Sequence, residues 1–333
     1  AFATSSVDMW QQITPTQRAT ILLRAADLFQ LHAEELIALA IREAGKTIPN
    51  AIGELREAID FLRYYSIQIT AAQPNKALGP VVCISPWNFP LSIFTGQVSA
   101  ALAAGNTVLA KPAEQTPLIA YRAVQLLHQA GVPENVLLFL PGRGETTGAQ
   151  LVADARTSGV VFTGSTQVAQ LIHRTLTQRS IAEDREIPLI AETGGQNAMI
   201  VDSSALCEQV VRDVISSAFD SAGQRCSALR VLCLQTDIAD KTLDMLHGAL
   251  EELQIARPDQ LATDIGPVID EEAQNNLLSY IEQARSTSKK LTQLTLPAST
   301  SAGTFVAPTI IEIDSIADSV SYTHLTLPTI YSV

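Results

Sequence analysis

The stretch PVVCISPWNFP, Pro80 to Pro90, decides how this chain is built. Before it, apolar residues recur at helical spacing: Leu22, Ala25, Ala26 and Phe29, then Leu36, Ile37, Ala40 and Ile41. Within it, Val81 to Ile84 form an unbroken apolar run, too short for a helix and closed by a Ser-Pro step. After it the two patterns alternate. NTVLAKP, NVLLFLPG, SGVVFTGS, IPLIAET and NAMIVD read as short aliphatic strands, with helical segments such as Gly96–Ala104 and TQVAQLIHRTL between the earlier ones. Aliphatic runs each followed by a helix are the pattern of a parallel sheet covered on both faces. The expected fold class is therefore α/β.

On the N-terminal side, Thr14-Pro15-Thr16-Gln17 is a helix start, with Thr as cap, Pro in the first turn and Gln reaching back. That helix is expected to run until Gly45, and a second should cover about 51–69. Beyond Asp202, a long helix (about 205–221) leads into a cysteine-bearing loop, the strand LRVLCLQ and the helix IADKTLDMLHGALEEL.

The chain has 333 residues, 47% hydrophobic and 17% charged, which is enough to bury more than one core. A formal net charge of -12 argues against a nucleic-acid surface or an anionic membrane face as partner. No apolar run approaches the roughly 20 residues that cross a bilayer, and AFATSSVDMW lacks the basic and apolar regions of a secretory signal. Cys83, Cys207, Cys226 and Cys233 show neither CxxC pairing nor regular spacing, the usage of a reducing, cytoplasmic compartment. His32, His128, His173, His247 and His324 are scattered, so no metal site is expected.

An alternating α/β chain raises the question of a nucleotide. PGRGETTG places Gly142, Gly144 and Gly148 as GxGxxxG, one residue off the usual dinucleotide fingerprint, and reads as a plain turn. FTGST, Phe162 to Thr166, lies where a strand ends and a helix begins. There, backbone N–H groups and the Ser165 hydroxyl suit either a helix cap or a pyrophosphate cradle. FDSAGQRCSALR, Phe219 to Arg230, sets a cysteine between Arg225 and Ser227 just after Gly223 and Gln224. A free cysteine is by type a buried residue, so on the residues alone Cys226 reads as core thiol or nucleophile.

PWNFP (Pro86–Pro90), KPAEQTP (Lys111–Pro117), FTGS, ETGGQN (Glu192–Asn197) and GQRC (Gly223–Cys226) occur in the order found in the NAD-dependent aldehyde dehydrogenase superfamily, which the chain resembles from about 15 to 314. ETGGQNAMIVDSSAL and SAFDSAGQRCSALRVL look like its glutamate-semialdehyde dehydrogenase branch, in the form fused to proline dehydrogenase. The resemblance implies a Rossmann-type parallel-sheet NAD domain with an incomplete α/β catalytic domain. It implies Cys226 as the nucleophile that forms a thiohemiacetal, and Asn88, with the Cys226 N–H, as holder of the oxyanion. Glu192 becomes the base that activates water to release the acid, where a carboxylate ending a buried strand would otherwise be costly. NAD is the implied cofactor, with Lys111 and Glu114 on the adenosine ribose, where an acidic side chain repels a 2′-phosphate. Gly164 and Ser165 match the pyrophosphate turn, and Ser85, Pro86, Trp87, Gly144, Phe162 and Gly194 complete the cofactor set. Ser227 matches the residue that binds the substrate α-carboxylate; Phe219 is either pocket wall or core.

The expected division is 1–193 NAD domain, 194–317 catalytic domain and 318–333 an unstructured tail. After GTFVAPTIIEIDSIAD the family continues into a glutamate-bearing E-x-F-G-P segment, whereas this chain runs into SVSYTHLTLPTIYSV, with Pro328 expected to interrupt any central strand. With no initiator Met either, the chain reads as a fragment of a homo-oligomeric protein. The expected function is NAD-dependent oxidation of glutamate semialdehyde. A different aldehyde, or a non-catalytic nucleotide-binding remnant, remains the alternative.

Overall fold

The computed structural model describes residues 2–71, 76–314 and 329–332. It divides into two compact units, Ala1–Ala44 with Pro49–Thr193, and Gly45–Ile48 with Gly194–Val333.

The first unit begins with helices α1 (Phe2–Ser5), α2 (Val7–Gln12), α3 (Pro15–Leu31), α4 (Ala33–Ala44) and α5 (Ile48–Ala71). Thr14 and Gln17 form the reciprocal capping box that the sequence announces. The single helix expected up to Gly45 is two. His32 ends α3, its carbonyl accepts the Leu36 N–H of the next helix, and Glu34 and Glu35 suit the positive N-terminal end of α4.

Five parallel strands follow: β1 (Pro80–Ile84), β2 (Thr107–Lys111), β3 (Leu137–Phe139), β4 (Gly159–Gly164) and β5 (Leu189–Thr193). Between them run α6 (Ser92–Ala103), α7 (Pro117–Ala130), α8 (Ala149–Ala153) and α9 (Thr166–Glu183). The sheet order is β3-β2-β1-β4-β5, so the winding direction reverses between β1 and β4. Alternate residues of β1 face opposite cores. Val81 and Cys83 join a large cluster with Phe29, Leu62, Phe94 and Leu127, while Val82 joins Phe162, Ile172 and Leu176 on the other side.

Helix α6 is buried along most of its length, so its ends cannot rely on water. At its start, Oε1 of the buried Glu54 accepts the Leu91 N–H at 2.7 Å and the Ser92 N–H at 3.3 Å. At its end, Nε of the buried Arg18 donates to the Ala103 carbonyl at 2.9 Å, and the Trp10 indole donates to Leu102 at 3.0 Å. An acid at the N-terminus and a base at the C-terminus complement the helix dipole.

The second unit is a sheet of order β6-β7-β10-β9-β8, formed by β6 (Asn197–Val201), β7 (Leu229–Leu234), β8 (Lys290–Gln293), β9 (Thr309–Ile313) and β10 (Thr329–Ser332). Its pairs are parallel except β8 with β9. Helices α10 (Cys207–Val214), α11 (Thr236–Glu251) and α12 (Glu271–Thr287) accompany it. The long helix expected over 205–221 stops at Val214, widens into a π-type turn at Ile215–Phe219 and tightens at Asp220–Gly223, where Ser221 and Ala222 take φ of 57° and 53°. The tail also departs from expectation. Thr329–Ser332 form a strand between β7 and β9, because Pro328 precedes the ladder instead of interrupting it and Thr329, Ile330 and Tyr331 are strand-forming types. The rest of the expected tail, 318–328, lies outside the described residues.

Glu54→Ala leaves two buried N–H groups of α6 without their acceptor. Urea unfolding should show a loss of about 3 kcal/mol, the scale of two charge-assisted hydrogen bonds; a loss below about 0.5 kcal/mol would mean that water replaces the carboxylate.

Candidate active-site elements in the two units

In the first unit the residues singled out by sequence gather after the carboxyl ends of the parallel strands, where open α/β sheets take ligands. Ser85, Pro86, Trp87 and Asn88 follow β1, Lys111 and Glu114 end and follow β2, and Gly144 follows β3. Gly164 and Ser165 end β4 and start α9. The reversal between β1 and β4 sets the first and last of these groups on neighbouring strands. Gln97, which the sequence reading did not single out, joins them. Its Nε2 donates to the Ile84 carbonyl at 3.2 Å and to Thr163 Oγ1 at 3.0 Å.

Several polar groups gather at this end of the sheet. Oε2 of Glu114 accepts the Gly144 N–H at 3.0 Å, which ties the β2 and β3 loops together while its second oxygen stays available. Lys111 is 4% exposed; burial pushes its ammonium pKa down, opposed by Glu114 and Glu145. Ser85 Oγ is buried and meets no hydrogen-bonding partner among the described residues. Ser165 is the N-cap of α9, its Oγ accepting the Val168 N–H at 3.2 Å, and its own proton remains free to donate. The cap and cradle readings of FTGST are therefore compatible. Phe162 is buried in the sheet core beneath Gly164, where an added Cβ would lie 2.6 Å from its ring.

Asn88 is half-buried in the loop between β1 and α6, the loop whose far end Glu54 fixes. Glu192 lies on β5, opposite Thr163. Its strand is not buried as expected: β5 is the sheet edge, with Glu192 exposed and Ile190 61% exposed, so the carboxylate is hydrated where it stands.

In the second unit Cys226 is exposed, while Cys83 and Cys207 are buried and Cys233 is intermediate. It occupies a corner of a tight turn closed by the Ala228 N–H on the Arg225 carbonyl at 3.2 Å, with exposed Ser227 at the other corner. Two further side chains hold the turn. Asn197 Nδ2 donates to the Cys226 and Ala228 carbonyls, both at 2.9 Å, and Arg230 Nη2 donates to the Arg225 carbonyl at 3.0 Å. Arg230 is buried, and burial pushes its pKa down to about 10, an effect that the nearby Cys226 opposes. Arg225 pairs with Asp220 at 2.5 Å. Gln224 anchors the turn's approach, its amide donating to Ser221 and Pro267 and accepting the Ile269 N–H. Phe219 is 4% exposed and belongs to the core of the second unit. Gly194 is exposed at the start of the same unit. Among the described residues no group of three His, Cys, Asp or Glu could hold a metal ion, and no helix is long and apolar enough to cross a membrane.

The aldehyde dehydrogenase family model matches residues 1–319. Bifunctional protein PutA of Escherichia coli is 58% identical over 324 residues, covering 95% of this chain and 24% of PutA. A 1-pyrroline-5-carboxylate dehydrogenase of Anoxybacillus flavithermus is 36% identical over 324 residues, covering 92% of this chain and 62% of that one. Among solved structures, proline utilization A of Bradyrhizobium japonicum superposes with a TM-score of 0.93 at 45% identity, covering 100% of this chain and 35% of that protein. The 1-pyrroline-5-carboxylate dehydrogenase from Thermus with bound NAD gives 0.92 at 31% identity, covering 99% of this chain and 67% of that one. The chain spans about a quarter of the length of the first of these relatives.

The four thiols differ enough to be told apart chemically. Burial pushes the Cys83 thiol up to about 12 and raises that of Cys233, and Cys207 lies buried beside the Thr242 hydroxyl. Iodoacetamide at pH 8 should modify Cys226 at least about tenfold faster than the others, read by peptide mass mapping. Faster labelling of Cys233 would contradict the site.

Proposed function

The chain belongs to the aldehyde dehydrogenase family, and on that premise we propose that it carries the NAD-dependent oxidation of L-glutamate γ-semialdehyde to L-glutamate, the second oxidation of proline catabolism. The observation that carries the reading is the single exposed thiol, Cys226, at the corner of a turn fixed from beneath. The substrate assignment is supported by relatives named for 1-pyrroline-5-carboxylate, the cyclised form of that aldehyde. The whole protein is proposed to join this activity to proline dehydrogenase and to form a homo-oligomer, as a chain that matches a quarter of a bifunctional relative invites.

In this reading the Cys226 thiolate attacks the aldehyde carbon and forms a thiohemiacetal. The oxyanion that develops is assigned to the Cys226 N–H and the Asn88 carboxamide. The chemistry that NAD would supply at this site, when bound, is that of a hydride acceptor for this carbon. The thioester left on Cys226 is then hydrolysed by water that Glu192 deprotonates, releasing the free acid. Ser227 is assigned to the substrate α-carboxylate. Phe219, packed in the core of the second unit, is assigned no direct contact with the substrate.

The cofactor assignment rests on the strand-end loops of the first unit. Lys111 and the available oxygen of Glu114 suit the adenosine ribose hydroxyls, and the Glu114 charge disfavours a 2′-phosphate there. The start of α9, with Gly164 and Ser165, suits the pyrophosphate. Ser85 supplies a buried hydroxyl that has no hydrogen-bonding partner among the described residues at the same end of the sheet, as a site shaped for a polar ligand would.

With the purified chain, NADH formation from glutamate semialdehyde should fall at least about a hundredfold in Cys226→Ala, while NAD binding, read by quenching of tryptophan fluorescence, is kept. NAD binding without oxidation of any aldehyde by the unaltered chain would leave only the nucleotide-binding reading.

Glu192→Gln should separate the two halves of the reaction. One NADH per thiol is expected in a burst, followed by turnover slowed by deacylation. Equal slowing of burst and steady state would remove Glu192 from the hydrolytic role.

A further inference from the structure

We propose that Asn197 and Arg230 are positioning residues that hold the Cys226 turn so that its outward N–H groups meet the oxyanion; the inference rests on the assignment of Cys226 as the nucleophile. The argument begins with peptide planarity. In a trans peptide the C=O of one residue and the N–H of the next point in opposite directions, and no peptide bond among the described residues is cis. Whatever holds a carbonyl on one side of the turn therefore aims the following N–H at the other.

Each relevant carbonyl is held. Arg225 C=O accepts from Arg230 Nη2 and from the Ala228 N–H, which turns the Cys226 N–H outward. Cys226 C=O accepts from Asn197 Nδ2, which turns the Ser227 N–H outward. Neither of these two N–H groups donates to an acceptor among the described residues, and both residues are exposed. Two residues after Cys226, the Ala228 carbonyl shares the same Asn197 amide, and the N–H beyond it, on Leu229, is taken by Ser217 Oγ at 3.1 Å. The pattern leaves two adjacent donors open beside the thiol and occupies the donor that follows.

The side-chain types suit the task. An amide NH₂ carries two protons on one nitrogen and can bridge two carbonyls; a carboxylate of the same shape has none to give and repels both. Asn197 opens β6 opposite Leu229, with a register shift in the pairing between Asn197 and Ala198. Cys226 and Ala228 both precede β7, so the amide reaches past the strand pairing to the turn itself. Arg230 reaches back from β7 beneath the same turn. Its guanidinium is a buried donor, held at the Arg225 carbonyl.

Strand pairing alone would give these side chains a merely structural part, and two reagents separate the cases on the purified chain without cofactor. p-Nitrophenyl acetate acylates a thiolate through a tetrahedral oxyanion. Sulfur bonds to the carbonyl carbon, the ester C–O bond breaks and p-nitrophenolate leaves. Iodoacetamide alkylates the same thiolate by displacing iodide from a CH₂ group, with no oxyanion. In Asn197→Asp and in Arg230→Met, acylation of Cys226 should slow at least about tenfold, while alkylation stays within about twofold. Arg230→Lys, which keeps one buried donor, should recover most of the acylation rate. Rates are followed by p-nitrophenolate absorbance and by mass mapping of Cys226, with near-UV circular dichroism confirming the fold. Should Asn197→Asp not fold, Arg230→Met against Arg230→Lys makes the same comparison. Parallel loss of both reactions, or loss of neither, overturns the positioning role. An unaltered Cys226 inert to both reagents instead overturns the nucleophile assignment.

Discussion

The carboxylate of Glu54 on the first turn of α6 is the interaction on which the first unit depends. Helix α6 packs among α3, α5 and the sheet, and its terminal N–H groups face protein where a surface helix would face water. A buried helix end without acceptors would forfeit several hydrogen bonds at once. Glu54 reaches it from α5, and Arg18 closes the opposite end from α3. Helices ahead of the sheet in sequence thus serve as the caps of a helix within it. The same carboxylate fixes the far end of the β1–α6 loop, which carries Asn88. Stability and site geometry therefore share one contact.

The sheet adds a second constraint. Because β1 is buried on both faces, its residues have no polar freedom until the strand ends, and the chain's chemistry is displaced to the loops beyond. Parallel winding sends those loops to one end, and the reversal between β1 and β4 parts two of them. Gln97 spans the parting by bonding both strands. A glycine at Gly164 lets Phe162 fold under the turn, so the backbone there is left open above an apolar floor.

What the sequence disclosed was local. Val81–Ile84, Val108–Ala110 and Val160–Phe162 announce strands because a run of buried aliphatic residues needs no distant information. Cys226, Asn88, Glu114 and Ser165 stand out in the sequence because each lies in a short distinctive string. The break at His32, the widening at Ile215–Phe219 and the strand at Thr329–Ser332 do not, since apolar periodicity continues across the first two and hardly reaches the third. Asp270, whose side chain caps α12 by accepting the Ala273 N–H at 2.8 Å, was a readable signal: an acid before EEA in a stretch left without elements. Glu54, Asn197 and Arg230 carry no such mark. Their meaning lies in partners that only the folded chain brings close.

Those partners explain how a thiol can be exposed without being loose. An exposed four-residue turn would ordinarily exchange among conformations, and a nucleophile on it would lose the orientation that acyl chemistry needs. Here the turn is entered through Ser221, Ala222 and Gly223, all at positive φ, a costly path for the first two that persists only where surrounding bonds over-determine it. Gln224 supplies such bonds, to Ser221 before the turn and to Pro267 and Ile269 across from it. The turn is left through β7, one of the most buried strands of the second unit. Strain on entry, a buried strand on exit and two side-chain donors beneath leave the sulfur as the part of the turn with freedom to react.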